Sequence, residues 1–165
     1  MRTLLLIPAL VLGCKAPNVS VSGKVDGQSL DALSAFWGGP YLVILDADLE
    51  CMDMPWVLEE YDEDEDNEVA TEKNFTALQF TYESSEIESG KLSIRSREAP
   101  AFAWFLLVDG GEADAIQATS GTIELELDKK DRAEGEFELT FGDDGTLKGD
   151  FLIENCNNLK KRKYE

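Results

Sequence analysis

Asp62, Asp64 and Asp66 alternate within EEYDEDEDNEVATE (residues 59–72), a stretch with nine acids and no base. Oxygens at positions 1, 3 and 5 of a loop are spaced to converge on Ca²⁺, a hard cation that takes six to eight oxygen ligands. Beyond those three the EF-hand pattern breaks. Its sixth position is Asn67 where the turn wants Gly, and its twelfth is Lys73 where a bidentate Glu belongs. Asp46, Asp48, Glu50 and Asp53 lie close in sequence and are the acids that would complete a site. A solvated loop with loose cation condensation explains the same residues and is the commoner fate of an acidic run. The expectation is therefore no cofactor, with Ca²⁺ at Asp62, Asp64 and Asp66 as the one metal the pattern suits.

Other chemistry is thinner. The chain has no histidine, which removes Ser-His-Asp and Cys-His catalysis and every imidazole metal site. Two acids in a cleft, one with a raised pKa, would suit glycoside hydrolysis. Among 34 acids such a pair is always available, so it signals nothing. No nucleophile elbow or Ser-x-x-Lys motif is present, and VDGGEA (108–113) reads as a hairpin turn, not a phosphate loop. Against 15 bases the acids leave a net charge of −19, which repels nucleic acid. The chain is expected to be non-enzymatic.

The third candidate is Cys14, directly after the apolar run Leu4–Leu12 and Gly13. That run is too short for a spanning helix, which needs about 20 residues, and matches the apolar region of a secretory signal, about 7–15 residues. Val11-Leu12-Gly13-Cys14 resembles the lipobox of bacterial lipoproteins. The resemblance implies cleavage between Gly13 and Cys14 and a diacylglycerol on the Cys14 thiol, with Val11 as the aliphatic residue three before it. Leu12 is bulkier than the family prefers, and Arg2 alone makes a thin basic region. Lys15, in place of Asp, implies export to the outer membrane of a two-membrane cell envelope. Two or three acyl chains, each contributing about 0.8 kcal/mol per buried CH₂, would anchor the protein stably. The middle of the chain resembles bacterial envelope lipoproteins, from which no function carries over.

In such an oxidising compartment Cys51 and Cys156 are expected to pair. The bridge would close a loop of about 100 residues and contribute about 4–5 kcal/mol on the chain-entropy model. Two buried thiols are the alternative.

The elements that must position these residues read as strands. Period-two alternation is clearest in GTIELEL (121–127), GEFELTF (135–141) and LKGDFLI (147–153). VSVSGKV (19–25), SLDALSAFW (29–37), YLVIL (41–45), FTALQFTY (75–82), KLSIR (91–95) and FAWFLLV (102–108) complete the set. Asp109-Gly110-Gly111 and Gly142-Asp143-Asp144-Gly145 supply hairpin turns. No segment has the pattern of an ordinary amphipathic helix. The expectation is all-β: one antiparallel β-sandwich or small β-barrel of about eight or nine strands.

FAWFLLV is apolar on both faces. It is read first as a central strand covered on both sides, with a ligand-lining barrel strand as the alternative. Phe36, Trp37 and Trp56 are read as core, with a surface recognition patch as the alternative. The organisation is a signal peptide (1–13), a lipidated Cys14 with a short tether (14–18), a β domain (19–157) with an acidic loop (59–73), and a basic tail (158–165). That tail, with Lys160-Lys161-Arg162-Lys163, reads first as a frayed, solvated terminus and second as a headgroup contact. The expected partners are the membrane, through the N-terminal lipid, and an envelope protein.

Overall fold

The computed structural model describes residues 18–49, 74–84, 87–109, 112–128 and 132–156. They hold ten strands: β1 (Asn18–Val25), β2 (Ser34–Gly38), β3 (Tyr41–Leu45), β4 (Phe75–Tyr82), β5 (Gly90–Arg95), β6 (Ala101–Asp109), β7 (Glu112–Gln117), β8 (Ser120–Leu127), β9 (Arg132–Thr140) and β10 (Gly145–Glu154). Among the described residues the one helical piece is a 3-10 turn at Gly142–Asp144, which joins β9 to β10. The fold is all-β, as the alternation predicts.

The strands form one sheet in the order β1-β10-β9-β8-β5-β6-β4-β3-β2, with β7 paired to β6. Its ladders are antiparallel except between β5 and β6, which share one parallel pair, Ile94 opposite Ala101. The far end of the sheet comes back to β10. Trp37 of β2 forms a parallel bridge with Asn155, and the Cys156 N–H donates to the Trp37 carbonyl at 2.6 Å. The result is a nearly closed barrel with two thin seams, β5–β6 and β2–β10.

The chain crosses the first seam in a single bend. Only Ala118 and Thr119 separate β7, which pairs with β6, from β8, which pairs with β5 and β9. The Ala118 N–H donates to the Ala103 carbonyl at 2.9 Å and the Thr119 N–H to the Thr140 carbonyl at 2.8 Å. One run of chain thus serves both halves of the barrel, as strands that turn a sheet corner do.

Alternate residues fill the interior. The rings of Phe80 and Phe137 meet edge to face with centroids 5.4 Å apart, and those of Phe105 and Phe141 at 6.2 Å. Each pair ties β4 or β6 to the β9 side of the barrel and contributes about 0.5–1.5 kcal/mol beyond its buried area. β9 and β10 both carry Gly-x-Phe, as Gly135-Glu136-Phe137 and Gly149-Asp150-Phe151. Their antiparallel register sets Phe137 opposite Gly149 and Phe151 opposite Gly135. A Cβ on Gly149 would lie 2.1 Å from the Ser20 carbonyl oxygen and 2.9 Å from Phe137 Cζ. One on Gly135 would lie 2.2 Å from the Glu124 oxygen and 2.8 Å from Phe151 Cζ. Each ring therefore covers bare backbone on the neighbouring strand, an arrangement in which Gly marks close approach.

β6 is covered on both faces. Phe105 and Leu107 belong to the interior cluster, whereas Trp104, Leu106 and Val108 join Val43, Leu45, Phe75 and Ala77 in a second cluster on the outside. The central-strand reading of FAWFLLV is the one the structure has. Two strand readings change. β2 starts at Ser34 rather than near Ser29, and β7 lies where the sequence pattern shows no strand. In EADAIQ the small Ala113 and Ala115 carry the outer-face positions, so the hydrophobic period is too weak to see.

Tyr82 is part of the interior cluster, and its hydroxyl is buried with no hydrogen-bond partner among the described residues. Burial pushes its phenol well above the ordinary 10.0. The folded state thus holds the Tyr82 proton more tightly than the unfolded chain does. The stabilisation is complete below pH 10 and is lost as pH rises from there towards the folded-state value. Tyr82→Phe should equal or exceed the parent in stability by about 1 kcal/mol at neutral pH, because an orphaned hydroxyl is removed. It should also lose less stability than the parent above pH 10, which paired urea titrations across the alkaline range would measure. Gly149→Ala should cost about 1–3 kcal/mol through overpacking against Phe137 and the Ser20 carbonyl, read as a lower urea midpoint at unchanged slope.

Candidate functional site

Of the residues with expected chemistry, Gly13, Cys14, Cys51, Asp62, Asp64 and Asp66 lie outside the described residues, as does Trp56. Cys156 is placed at the β2–β10 seam and is 1% exposed. Asp46, one of the acids offered to complete a calcium site, has a structural task. Its Oδ1 accepts from the Thr76 N–H at 2.6 Å, and its own N–H donates to the Thr76 carbonyl at 3.0 Å. This two-way clamp joins the end of β3 to the start of β4, with residues 47–75 between. Trp37 is core, 7% exposed, and does not form a surface patch. Phe36, on the opposite face of β2, packs on the outer cluster.

The feature that the sequence reading missed is on the outside of the other half of the barrel. Strands alternate, so the residues between the core positions of β5, β8, β9, β10 and β1 face solvent. Register aligns them into cross-strand rows. Lys91 lies opposite Glu124, Glu124 opposite Glu136, Glu136 opposite Asp150, and Asp150 opposite Ser20. A neighbouring row sets Glu126 opposite Glu134. Like charges directly opposite each other destabilise a sheet, by amounts comparable to the 0.2–1 kcal/mol that a favourable pair contributes, roughly.

Ser20, Lys91, Glu124, Glu136 and Asp150 border a groove of about 370 Å³ that also includes Ser22, Thr122 and Lys148. Glu138, opposite Lys148, gives the neighbouring part of the groove a pair of opposite sign. Lys91 Nζ approaches Glu124 Oε2 at 3.3 Å, but the two side chains are 61% and 55% exposed, so the pair adds little stability. One carboxylate per strand, each directed to water, gives a diffuse negative field and not a coordination sphere. Accordingly, no group of three or more Cys, Asp or Glu side chains among the described residues is arranged to hold a metal ion.

No sequence signal marked this row, because each strand separately shows ordinary polar–apolar alternation. Glu124, Glu136 and Asp150 become neighbours only through the register of three strands.

Comparison with protein-family models, with curated proteins and with solved structures finds no match for the chain.

Glu136→Gln removes the middle charge of the row. It should raise stability by about 0.2–1 kcal/mol in dilute buffer. The gain should fade near 1 M salt, where the Debye length is about 3 Å. Thermal melts of both proteins at the two salt concentrations check this.

Proposed function

We propose that the protein is a lipid-anchored component of a bacterial cell envelope, held at the outer membrane through Cys14, with a non-enzymatic binding or scaffolding role. The observation that carries this reading is the short distance in sequence between Cys14 and the first described strand. β1 starts at Asn18, four residues after Cys14 in the lipobox-like Val11-Leu12-Gly13-Cys14. A cut before Cys14 therefore leaves all ten described strands in the mature chain, with residues 14–17 as the tether.

The nature of the barrel supports a role for its surface over its lumen. Phe80, Phe105, Phe137, Phe141 and Phe151 occupy the interior and are buried. A barrel that carries a small apolar ligand would keep that space for the ligand. Recognition is then left to the outer faces and loops, and the expected partner is another envelope protein.

The same reading pairs Cys51 with Cys156. Leu49 N–H donates to Ser34 Oγ at 3.2 Å, which ties the chain that leads to Cys51 to the start of β2. Cys156 sits at Trp37, three residues further along that strand. Three strand residues cover about 10 Å, and two residues of chain reach about 7 Å. The span from Leu49 to Cys156 is one that two residues of chain and a disulfide, whose Cα atoms lie about 4.4–6.8 Å apart, can bridge. The bridge would reinforce the seam where β2 meets β10.

Two measurements test the proposal. Cells expressing the chain with a labelled fatty acid should yield a labelled protein in the membrane fraction, and Cys14→Ser should abolish both the label and the attachment. A variant that stays membrane-bound would end the anchor reading. A thiol titration of the denatured, unreduced mature protein should find no reactive thiol and, after reduction, two. Two before reduction would remove the disulfide.

A further inference from the structure

β1 ends the sheet order and forms its ladder with β10. Which of its backbone groups that ladder uses is fixed where β1 turns away. The Asp26 N–H donates to the Asp144 carbonyl at 2.8 Å, whereas Val25 exchanges bonds of 3.0 and 2.9 Å with Gln28. Residues that bond a given neighbour alternate along an antiparallel strand. The register from Asn18 opposite Leu152 to Val25 opposite Gly145 runs one for one, so no bulge shifts the alternation. Ser20, Ser22 and Lys24 therefore bond β10, and the N–H and C=O groups of Val19, Val21 and Gly23 point away from it. Those groups have no backbone partner among the described residues. The chain that follows does not stay beside them. By Leu33 its N–H is given to the Leu45 carbonyl of β3 at 2.8 Å.

This edge is open. Gly23 is exposed, and Val19 and Val21, which pack on the interior cluster, are half-buried. Leu147 and Phe151 on the neighbouring strand are buried. Sheet edges are ordinarily kept short, charged or covered. β7 has six residues and carries Glu112 and Asp114, and β2 has five and is brought to β10 at Asn155. β1, NVSVSGKV, has eight residues, no acid and one base, Lys24.

We infer that the free edge of β1 is the docking site for an extended segment of an envelope partner, which joins the sheet as an antiparallel strand. The inference gives the binding role proposed above its surface and rests on that reading. In strand addition the main-chain bonds supply affinity and alternate side chains supply specificity. A guest residue opposite Val19 or Val21 faces the interior and is apolar. A guest residue opposite Ser20 extends the row of Asp150, Glu136 and Glu124. Ser20 is small and borders the acidic groove, so a Lys or Arg at that place leans over it toward Asp150. One step along, Ser22 lies opposite Lys148, which repels a second base and selects an uncharged residue. The guest is thus apolar on one face and carries a base at one position of the other. A second copy of this chain is a poor guest, because two bodies of net charge −19 repel each other.

The test is an amide NMR titration of the isotope-labelled full mature chain with the peptide Gly-Val-Ser-Val-Arg-Val-Gly. Antiparallel pairing sets its central Val opposite Val21 and its Arg opposite Ser20. The shifts should centre on Val19, Val21 and Gly23. Glu in place of the Arg should weaken binding several-fold in dilute buffer. The difference should shrink near 1 M salt, where the Debye length is about 3 Å. N-methylation of the central Val, whose N–H faces β1, should abolish binding. N-methylation of the Arg, whose N–H points away, should leave it unchanged. Val21→Pro removes the matching donor from the protein at a place where an edge strand accepts proline, and should also abolish binding. If that variant does not fold, the two N-methylated peptides decide.

No binding, shifts confined to other strands, or equal binding by the two N-methylated peptides overturns the docking site. The labelled fatty acid scores the anchor separately. A chain that takes up no fatty acid but binds the peptide at β1 overturns the envelope reading and leaves the strand site standing.

Discussion

The reciprocal Gly–Phe pairing of β9 and β10 is the constraint on which the rest of the barrel depends. Only one register lays Phe137 over Gly149 and Phe151 over Gly135. A slip by one residue would turn Glu136 and Asp150 inward, because side chains alternate with a period of two. A slip by two residues, which keeps the faces, would set Phe137 against Phe151 in one direction or Gly135 against Gly149 in the other, overfilling or emptying that level of the interior. From the correct register Phe137 reaches across to Phe80, and Phe141, just beyond β9, reaches Phe105. The two thin seams are tolerable because these contacts hold the walls together through the middle.

The same register that packs the interior aligns the acids outside. Glu124, Glu136 and Asp150 cannot be separated without moving Ile123, Phe137 and the Gly149 contact, since inner and outer residues belong to the same strands. The opposed charges are a by-product of core packing at positions where solvent and salt weaken the repulsion. A strongly acidic surface also keeps a β-protein soluble and discourages edge-to-edge association. Here the edges are already scarce, since β2 is brought back to β10 at Asn155.

The sequence disclosed what depends on local pattern. Strands with large apolar residues at every second position, such as Ile123-Glu124-Leu125 and Phe137-Glu138-Leu139, are legible because burial on one face imposes that period. β7 was not, because Ala113 and Ala115, opposite Val108 and Leu106, are too small to give a strong hydrophobic signal. The role of Asp46 was hidden for a related reason. An acid near an acidic loop looks like a ligand until Thr76, 30 residues later, is known to be its neighbour. The Glu124–Glu136–Asp150 row was out of reach altogether, since nothing within one strand states which residue of the next lies beside it. The calcium candidates Asp62, Asp64 and Asp66 fall outside the described residues, so their loop is known only as sequence.

β1 pairs with β10 along its whole length, from Asn18 opposite Leu152 to Val25 opposite Gly145. The first described strand thus depends on the last for its hydrogen bonds. A chain that emerges from a ribosome or a membrane pore N-terminus first must carry β1 unpaired until more than 120 further residues have followed. Such non-local pairing is slow because loop-closure entropy comes before the contacts that offset it. Local hairpins such as β6–β7 and β8–β9 can form on the way, but the barrel as a whole closes only once β10 is present to receive both β1 and β2.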